Sequence, residues 1–373
     1  MNACLAVGIS SDHEPRKPDE VVEKVGKGLF VMLRNGTLAR EVETLVGTVA
    51  EQDLPTDRIG LVTDDMMVSH MTPDTYILHK LRTAIDRGIP PIDAIRMVTL
   101  NIAEHYRVGE IIGSLRAGAY ADMVVLDSLD SLTIDQVIAN GAPVSSSFLD
   151  RDEKPDYEPT LLRTFTRSPL TEAEMQWLPS DRLNEQKVTL RAIELDQATR
   201  FTELVDVTVP VHEGDVSLDS KEDDLSFLLC ANRKHDHLVG HGFLRGYGIG
   251  EAAIAVSLAH DHHGIVALGR TKENVRIAAN RVMELQGGLV LVENGTVSQE
   301  IPLPLAGVMA TRPAQEVTSE IEALEARLRE RGVRWRQPLF FLFWLGMEVA
   351  PYYRISDHGV FDTESECIVS TFV

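Results

Sequence analysis

A chain of 373 residues with 44% apolar side chains can bury a sizeable core and is long enough for two or three domains, which sets a disordered chain aside. Its 36 Lys and Arg against 57 Asp and Glu leave a formal charge of -21, which repels a phosphate backbone and excludes nucleic acid as an expected partner. Three widely spaced cysteines, Cys4, Cys230 and Cys367, supply neither a disulfide framework nor a cysteine-based zinc knuckle and point to a cytosolic protein.

The chain opens MNACLAVGISSDHEPRK. It has no basic lead before its short apolar stretch, unlike a secretory signal, and no strand or cap before that stretch, unlike a natural domain start. Through residue 105, short apolar runs alternate with amphipathic segments, the pattern of successive βα units. Pro18, Asp19 and Glu20 open a helix that stops near Gly26 and Gly28, with proline and acids at its start and glycine at its end. A buried strand is expected over Leu29 to Leu33, a second helix over about Leu38 to Ala50, and a second strand over Ile59 to Val62. That strand leads straight into Thr63, Asp64 and Asp65. Between Pro73 and Arg87, Tyr76, Ile77, Leu81, Ala84 and Ile85 fall at helical spacing, and another helix begins beyond Pro90-Pro91.

From Gly109 to Val144 the pieces IIGSLRAG, ADMVVLD and VIANGAPV, with turns at Ala117-Gly118 and Asn140-Gly141, read as a small β unit. Residues from about Ser145 to Pro179 are rich in Asp, Glu, Arg and Pro and read as a linker. The rest reads as an α+β domain. Strands are expected near Phe227 to Cys230, Ile265 to Leu268 and Leu289 to Val292, and helices near Gly250 to Leu258, Glu273 to Glu284 and Ala314 to Arg331. The most apolar tract, Pro338 to Tyr353, is broken by Glu348 and falls short of the roughly 20 residues a membrane span needs, so it reads as core and no membrane association is expected.

Three clusters could carry chemistry. Asp12, His13 and Glu14 follow the AVGIS stretch, and Asp64-Asp65 end a strand. In a (β/α)8 enzyme the active site lies at the C-terminal ends of the strands, so both clusters would face one pocket. Imidazole and carboxylate are ligands that zinc, manganese and iron accept, and a metal-bound water supplies hydroxide at neutral pH. Taken alone, the DHE triplet equally fits a solvated turn with a capping Asp, and two acids ahead of a helix are ordinary N-terminal residues. The third cluster is His260, Asp261, His262 and His263, between apolar IAVSLA and GIVALG. Consecutive side chains diverge, so at most two of these four address one point. His235, His237 and His241 read as surface or rim residues. The GYGIG run lacks a dinucleotide or P-loop spacing and reads as a tight turn. No Gly-x-Ser-x-Gly elbow is present.

The motifs MNACLAVGISSDHE, VMLRNGTLAR, LVTDD, GSLRAGAYADMVVLD, GYGIGEAAIAVSLAHDHHGIVALG, GGLVLVENG, IPLPLAGVMA and APYYRISDHGVFD follow one another in the order found in adenine deaminases of the amidohydrolase superfamily. The sequence resembles that family over nearly its whole length. The resemblance implies an α/β fold with part of a TIM-type (β/α) barrel over residues 1–105, a small β-sandwich return segment over 106–150, a linker over 151–180 and a C-terminal α+β adenine deaminase domain over 181–373. It also implies hydrolysis of adenine to hypoxanthine and ammonia with a divalent metal, manganese or iron, zinc being possible. By the same resemblance His13 and Asp64 are metal ligands, Asp64 and Glu14 are catalytic, and Arg34, His260 and Asp261 bind the substrate.

The family's His-x-His pair, carboxylate and first lone histidine would lie upstream of Met1, so the resemblance implies a fragment or one piece of a split enzyme. Its partner would be an N-terminal barrel fragment or further copies of the chain. MMVSHMTPD after TDD, and HDHHG in place of the family's HDSHN, depart from the pattern and bear on substrate choice. A related hydrolase acting on another amine or cyclic amide, and a non-catalytic assembly partner, are the alternatives.

Overall fold

The computed structural model describes residues 1–72, 76–145, 155–196, 201–218 and 223–373. The chain divides into two compact units, Met1–Lys154 and Pro155–Val373.

In the first unit, β1 (Ser11–Asp12), β2 (Phe30–Arg34) and β3 (Ile59–Val62) form a parallel sheet with β2 in the middle. Every residue of β2 is buried, as expected for a central strand covered on both faces, where apolar residues run on without alternating. The connecting helices Pro18–Gly26 and Glu41–Glu51 send Val21, Val25, Val42, Leu45, Val46 and Val49 into one core with Val31, Leu33, Ile59 and Leu61. This is an α/β arrangement with a three-stranded parallel sheet; among the described residues no closed barrel is formed. The second helix begins at Glu41 instead of Leu38, because the backbone N–H groups of Leu38 and Ala39 are taken by the Asp65 carboxylate. The helix within Pro73 to Arg87 covers Ile77–Asp86, with residues 73–75 outside the described set. At the front of the chain, Asn2–Ala6 form a short helix with no buried residue.

A small antiparallel sheet follows, β4 (Met123–Leu126), β5 (Ile134–Ala139) and β6 (Ala142–Pro143). The β5–β6 turn is the expected Asn140-Gly141, whose φ values of 50° and 77° meet the need of a two-residue hairpin loop for two left-handed residues. The expected strand at IIGSLRAG is corrected: Gly113 and Gly118 sit at φ 88° and 90°, and the segment folds into turns.

The second unit is built on a nine-stranded sheet. In chain order its strands are β7 (Lys187–Leu195), β8 (Thr202–His212), β9 (Asp215–Val216), β10 (Leu225–Ala231), β11 (Val239–Arg245), β12 (Ala253–Val256), β13 (Ile265–Gly269), β14 (Gly288–Glu293) and β15 (Thr296–Pro302). In space they run β15-β14-β12-β13-β10-β11-β7-β8-β9, antiparallel except where β11 meets β7. The helix Lys272–Glu284 lies on this sheet with Val275, Ala278, Ala279, Val282 and Met283 buried, the spacing of an amphipathic face. Its N-terminal Thr271 accepts a hydrogen bond from the Asn274 N–H. The helix Ala314–Glu330 buries Val317, Ile321, Leu324 and Leu328, and the apolar helix Pro338–Leu345 is core throughout most of its length. A further antiparallel sheet joins β16 (Tyr353–Ser356), β17 (Gly359–Asp362) and β18 (Cys367–Ile368).

Two expectations change here. The helix expected over Gly250 to Leu258 is strand β12, fully buried between β13 and β14; ladder pairing on both sides outweighs the helical propensity of its alanines. The segment read as a linker over 151–180 is outside the described residues at 151–154, and beyond them it sends Phe165, Leu170, Met175, Trp177 and Leu178 into the core of the second unit.

Candidate functional site

Three parallel strands end side by side in the first unit. Arg34 is the last residue of β2 and pairs in register with Val62, the last of β3; Asp64 lies two residues beyond β3 and Glu14 two residues beyond β1. The fold therefore delivers all three side chains to one edge, the C-terminal ends of the strands.

Arg34 is buried and organises the group. Its Nη1 and Nη2 donate to Glu14 Oε1 and Oε2 at 2.7 and 2.9 Å, a two-pronged fork. Nη1 also donates to Asp64 Oδ2 at 2.8 Å and Nη2 to buried Glu41 Oε1 at 3.2 Å. Burial by itself would make the guanidinium easier to deprotonate. The carboxylates of Glu41, Glu14 and Asp64 outweigh burial and raise its pKa above the usual arginine value. Glu14 and Asp64 stand at the exposed side of this cluster, with His13 Nε2 3.5 Å from Glu14 Oε1 and Arg16 Nη2 3.6 Å from Glu14 Oε2.

The structure thus joins Glu14, Arg34 and Asp64 directly and brings His13 against Glu14. Arg34, expected to bind substrate, is instead a buried clamp whose two Nη atoms are engaged by carboxylates. Asp12 separates from its neighbours: it pairs with Lys24 at 2.7 Å and accepts the Glu14 N–H at 2.6 Å, so it shapes the turn. Glu41 is the member that sequence reasoning missed, since an acid in the first turn of a helix looks ordinary.

His13 and Asp64 have the right donor chemistry for a divalent metal. They are two donors where a tight site supplies three or four, and among the described residues no three His, Cys, Asp or Glu side chains gather as a metal site would require. Asp64 is moreover turned to Arg34. The residues of this chain do not by themselves fit a metal centre.

In the second unit, the His-rich turn follows strand β12 and has two non-glycine residues in the left-handed region, Asp261 at φ 75° and His263 at φ 48°. His260 Nδ1 and Asp261 Oδ1 pair at 2.6 Å, both exposed. His262 turns inward. Its Nδ1 accepts the Gly264 N–H at 2.9 Å, which leaves Nε2 to carry the proton toward buried Cys230 Sγ at 3.8 Å. Gly346 makes room for it, as a Cβ there would lie 2.6 Å from Nε2. Burial lowers the His262 pKa below the ordinary histidine value, against the pull of Asp261 and of Asp357, which is held by the Asn232 amide at 2.6 Å and His358 at 2.7 Å; burial of Glu348 near both acids pushes its carboxyl up. His241, read as a rim residue, is half-buried and hydrogen-bonded to the Glu174 carbonyl at 2.8 Å.

Comparison with known proteins gives two family matches, "Amidohydrolase family" over residues 16–144 and "Adenine deaminase C-terminal domain" over residues 199–367. The chain is 32% identical over 366 residues to the adenine deaminase of Methanococcoides burtonii, covering 98% of this chain and 62% of that protein. It is 31% identical over 374 residues to the adenine deaminase of Desulforamulus reducens, covering 100% and 63%. That of Moorella thermoacetica is 30% identical over 361 residues, covering 96% and 60%. The chain therefore spans about three fifths of the length of these relatives.

Proposed function

We propose that this chain, which belongs to the adenine deaminase family of amidohydrolases, is part of a hydrolytic deaminase that converts adenine and water to hypoxanthine and ammonia. The observation that carries this reading is the Arg34 fork holding Glu14 and Asp64 side by side at the strand ends. Hydrolysis at C6 of the purine takes a proton from the attacking water and gives one to the departing amine. Asp64 can take the water's proton and then hand it to the departing amine, with the neighbouring Glu14 carboxylate accepting a hydrogen bond from that amine. Arg34 keeps the two in place and supplies the positive charge that lets both carboxylates share one small site. The exposed His260–Asp261 pair offers a donor and an acceptor of the kind that purine ring nitrogens and an exocyclic amine require.

The family implies a divalent metal, and manganese or iron, with zinc as the alternative, is the ion proposed here. His13 and Asp64 are the two donors this chain would contribute, the others coming from residues not in this sequence, on an N-terminal barrel piece or another copy. A cytoplasmic role in purine salvage suits this chemistry. Among the described residues no helix is long and apolar enough to cross a membrane.

The test is hypoxanthine formation from adenine by the chain, alone and together with a polypeptide supplying the first barrel strands, against a panel of other ring amines and cyclic amides. Adenine turnover that falls by about 10²–10⁴-fold in Asp64→Asn is the expected result. Untouched adenine beside turnover of another ring, or full activity in Asp64→Asn, overturns the reading. The two-donor site also favours a second reading, a non-catalytic assembly partner, which stoichiometric tightly held metal accompanied by turnover would contradict.

A further inference from the structure

The chain turns at Asp64 in a conformation that a side chain resists. Asp64 lies at φ 68°, in the left-handed region, where a residue other than glycine carries strain and stays only if its surroundings hold it. The Asp64 carbonyl accepts the Met66 N–H at 2.9 Å, which closes the turn, and the next residue ties that turn to the rest of the site. The Asp65 side chain points the other way, into the loop that follows β2: Oδ2 accepts the N–H of Leu38 at 2.9 Å and of Ala39 at 3.1 Å, and Oδ1 approaches the Ala39 N–H at 3.3 Å. The backbone on either side is laced to the same loop, Asn35 N–H to the Val62 carbonyl at 2.9 Å and Thr37 N–H to the Asp65 carbonyl at 2.9 Å. Thr37 Oγ1 accepts the Met67 N–H at 2.8 Å.

Gly36 shows how tightly the carboxylate is seated. A Cβ built there would lie 1.9 Å from Asp65 Oδ1 and 2.9 Å from the Thr63 carbonyl oxygen, so only glycine admits the Asp65 side chain to this place. The loop so held is the one that leaves Arg34, and the turn so held is the one that carries Asp64. Asp65 thus sits between the two partners of the 2.8 Å Arg34–Asp64 contact and ties their backbones together.

We propose that Asp65 is the positioning residue of this site: by clamping the Asn35–Ala39 loop it holds Asp64 in its left-handed turn and against Arg34. The proposal rests on the reading of Asp64 as the reactive carboxylate, but its geometry is testable without turnover. Asp65 touches neither Glu14 nor Arg34 through a hydrogen bond among the described residues; it acts through the backbone.

The readout is the guanidinium signal of Arg34 in nitrogen-detected NMR of the full chain, identified by its loss in Arg34→Lys. Fixed in carboxylate forks, its Nη groups give separate signals because rotation about the guanidinium bonds is slow. Nη1 serves both Glu14 and Asp64 while Nη2 serves Glu14 and Glu41, so Asp64→Ala marks where the Nη1 signal lies once the Asp64 contact alone is lost. In Asp65→Ala the Nη1 signal moves to that position and the Nη2 signal stays. Asp65→Asn, which keeps a carbonyl oxygen for Leu38 and Ala39, keeps the original Nη1 signal. Gly36→Ala, which keeps Asp65 but expels its carboxylate, moves it as Asp65→Ala does, and carries the test if Asp65→Ala does not fold. Thermal melts of each variant establish that the fold persists.

An unmoved Nη1 signal in Asp65→Ala or in Gly36→Ala, or a moved one in Asp65→Asn, overturns the proposal. A failed adenine assay alongside a moved Nη1 signal in Asp65→Ala would reject the deaminase reading and leave the positioning role intact.

Discussion

At the ends of β1, β2 and β3 a buried guanidinium is met by Glu14, Asp64 and Glu41 and stays charged, whereas in the turn after β12 the half-buried imidazole of His262 is pushed toward its neutral form. The first solution needs partners of opposite sign; the second needs a fixed tautomer and a neutral neighbour. A region built the first way fails when a partner is removed, and one built the second way fails when protons are added. Partner substitutions and acid are therefore the perturbations that tell the two regions apart.

The sharpest test is Arg34→Met. It keeps most of the apolar stem but leaves Glu41, as buried as Arg34, without the cation that it pairs with and near two other carboxylates. The expected loss is about 3–5 kcal/mol, the usual scale for breaking a buried ion pair from one side. Hydrogen exchange read on β2 and β3 checks it, because all three tryptophans, Trp177, Trp335 and Trp344, lie in the other unit and would not report the change. A loss well under 1 kcal/mol would mean that the network is solvated and that the contrast drawn above is false.

Lys80 sharpens the comparison from inside the first unit, for it is a buried cation that meets no carboxylate among the described residues. It is fully buried, and its ammonium reaches the Tyr76 carbonyl at 3.2 Å, with the Tyr76 ring 5.1 Å away. Burial, with Arg40 nearby adding to it, pushes its pKa down to about 8. An unfolded lysine titrates near 10.4, so between about 8 and 10.4 the unfolded chain holds the extra proton. Stability of this unit then rises with pH across that window and is lowest below it. Lys80→Met is expected to stabilise the unit at pH 7 by roughly 1–3 kcal/mol and to flatten the rise, as a neutral side chain of similar shape replaces an uncompensated charge. Denaturation midpoints at pH 7.5 and 9.5 decide it; a variant that is less stable at pH 7.5 would show that the ammonium is well accommodated.

Legibility followed the same division. In residues 1–105 the chain punctuates itself with prolines, acids and glycines at helix ends, and the polar residues worth naming stand just past apolar strands, so Glu14 and Asp64 could be singled out from order alone, while Arg34 is singled out only through the family resemblance. What order could not give was their mutual geometry. Whether Arg34 reaches substrate or carboxylates depends on β2 being central, and Glu41 and Asp65 are acids where acids are common. In the second unit the alanines of β12 look helical to any local reading, and only pairing with β13 and β14, which both follow it along the chain and flank it in the sheet, makes them a strand. The His-rich turn stood out by composition, yet its inward member was invisible because neighbouring histidines are chemically alike. Its inward direction is set by the cavity over Gly346 and by Cys230, both remote in sequence.

The smallest effect separates the regions by acid. Burial lowers the pKa of His262 below the ordinary histidine value even though Asp357 pulls the other way, and protonation would have to occur at Nδ1, where the Gly264 N–H already donates. The unfolded chain therefore takes up its proton near 6.5 while the folded one resists until lower pH, so the second unit loses stability as pH falls below about 6.5, by at most about 1.4 kcal/mol per pH unit for each such group. His241, lowered by burial and held by the Glu174 carbonyl, adds to the same slope. Tryptophan fluorescence during urea unfolding at pH 7.5, 6.5 and 5.5 reads this unit alone. His262→Gln is expected to remove about one proton's share of the slope. His241 and His263, both lowered by burial, keep the remainder, whereas in the first unit the Asp65 carboxyl, pushed up to about 6 by burial, takes up a proton in the folded chain and opposes the loss that His105 causes, so the exchange of β2 and β3 should change less steeply over the same range. A slope unchanged by His262→Gln would mean that His262 titrates alike in both states, and the neutral-imidazole half of the comparison would fall.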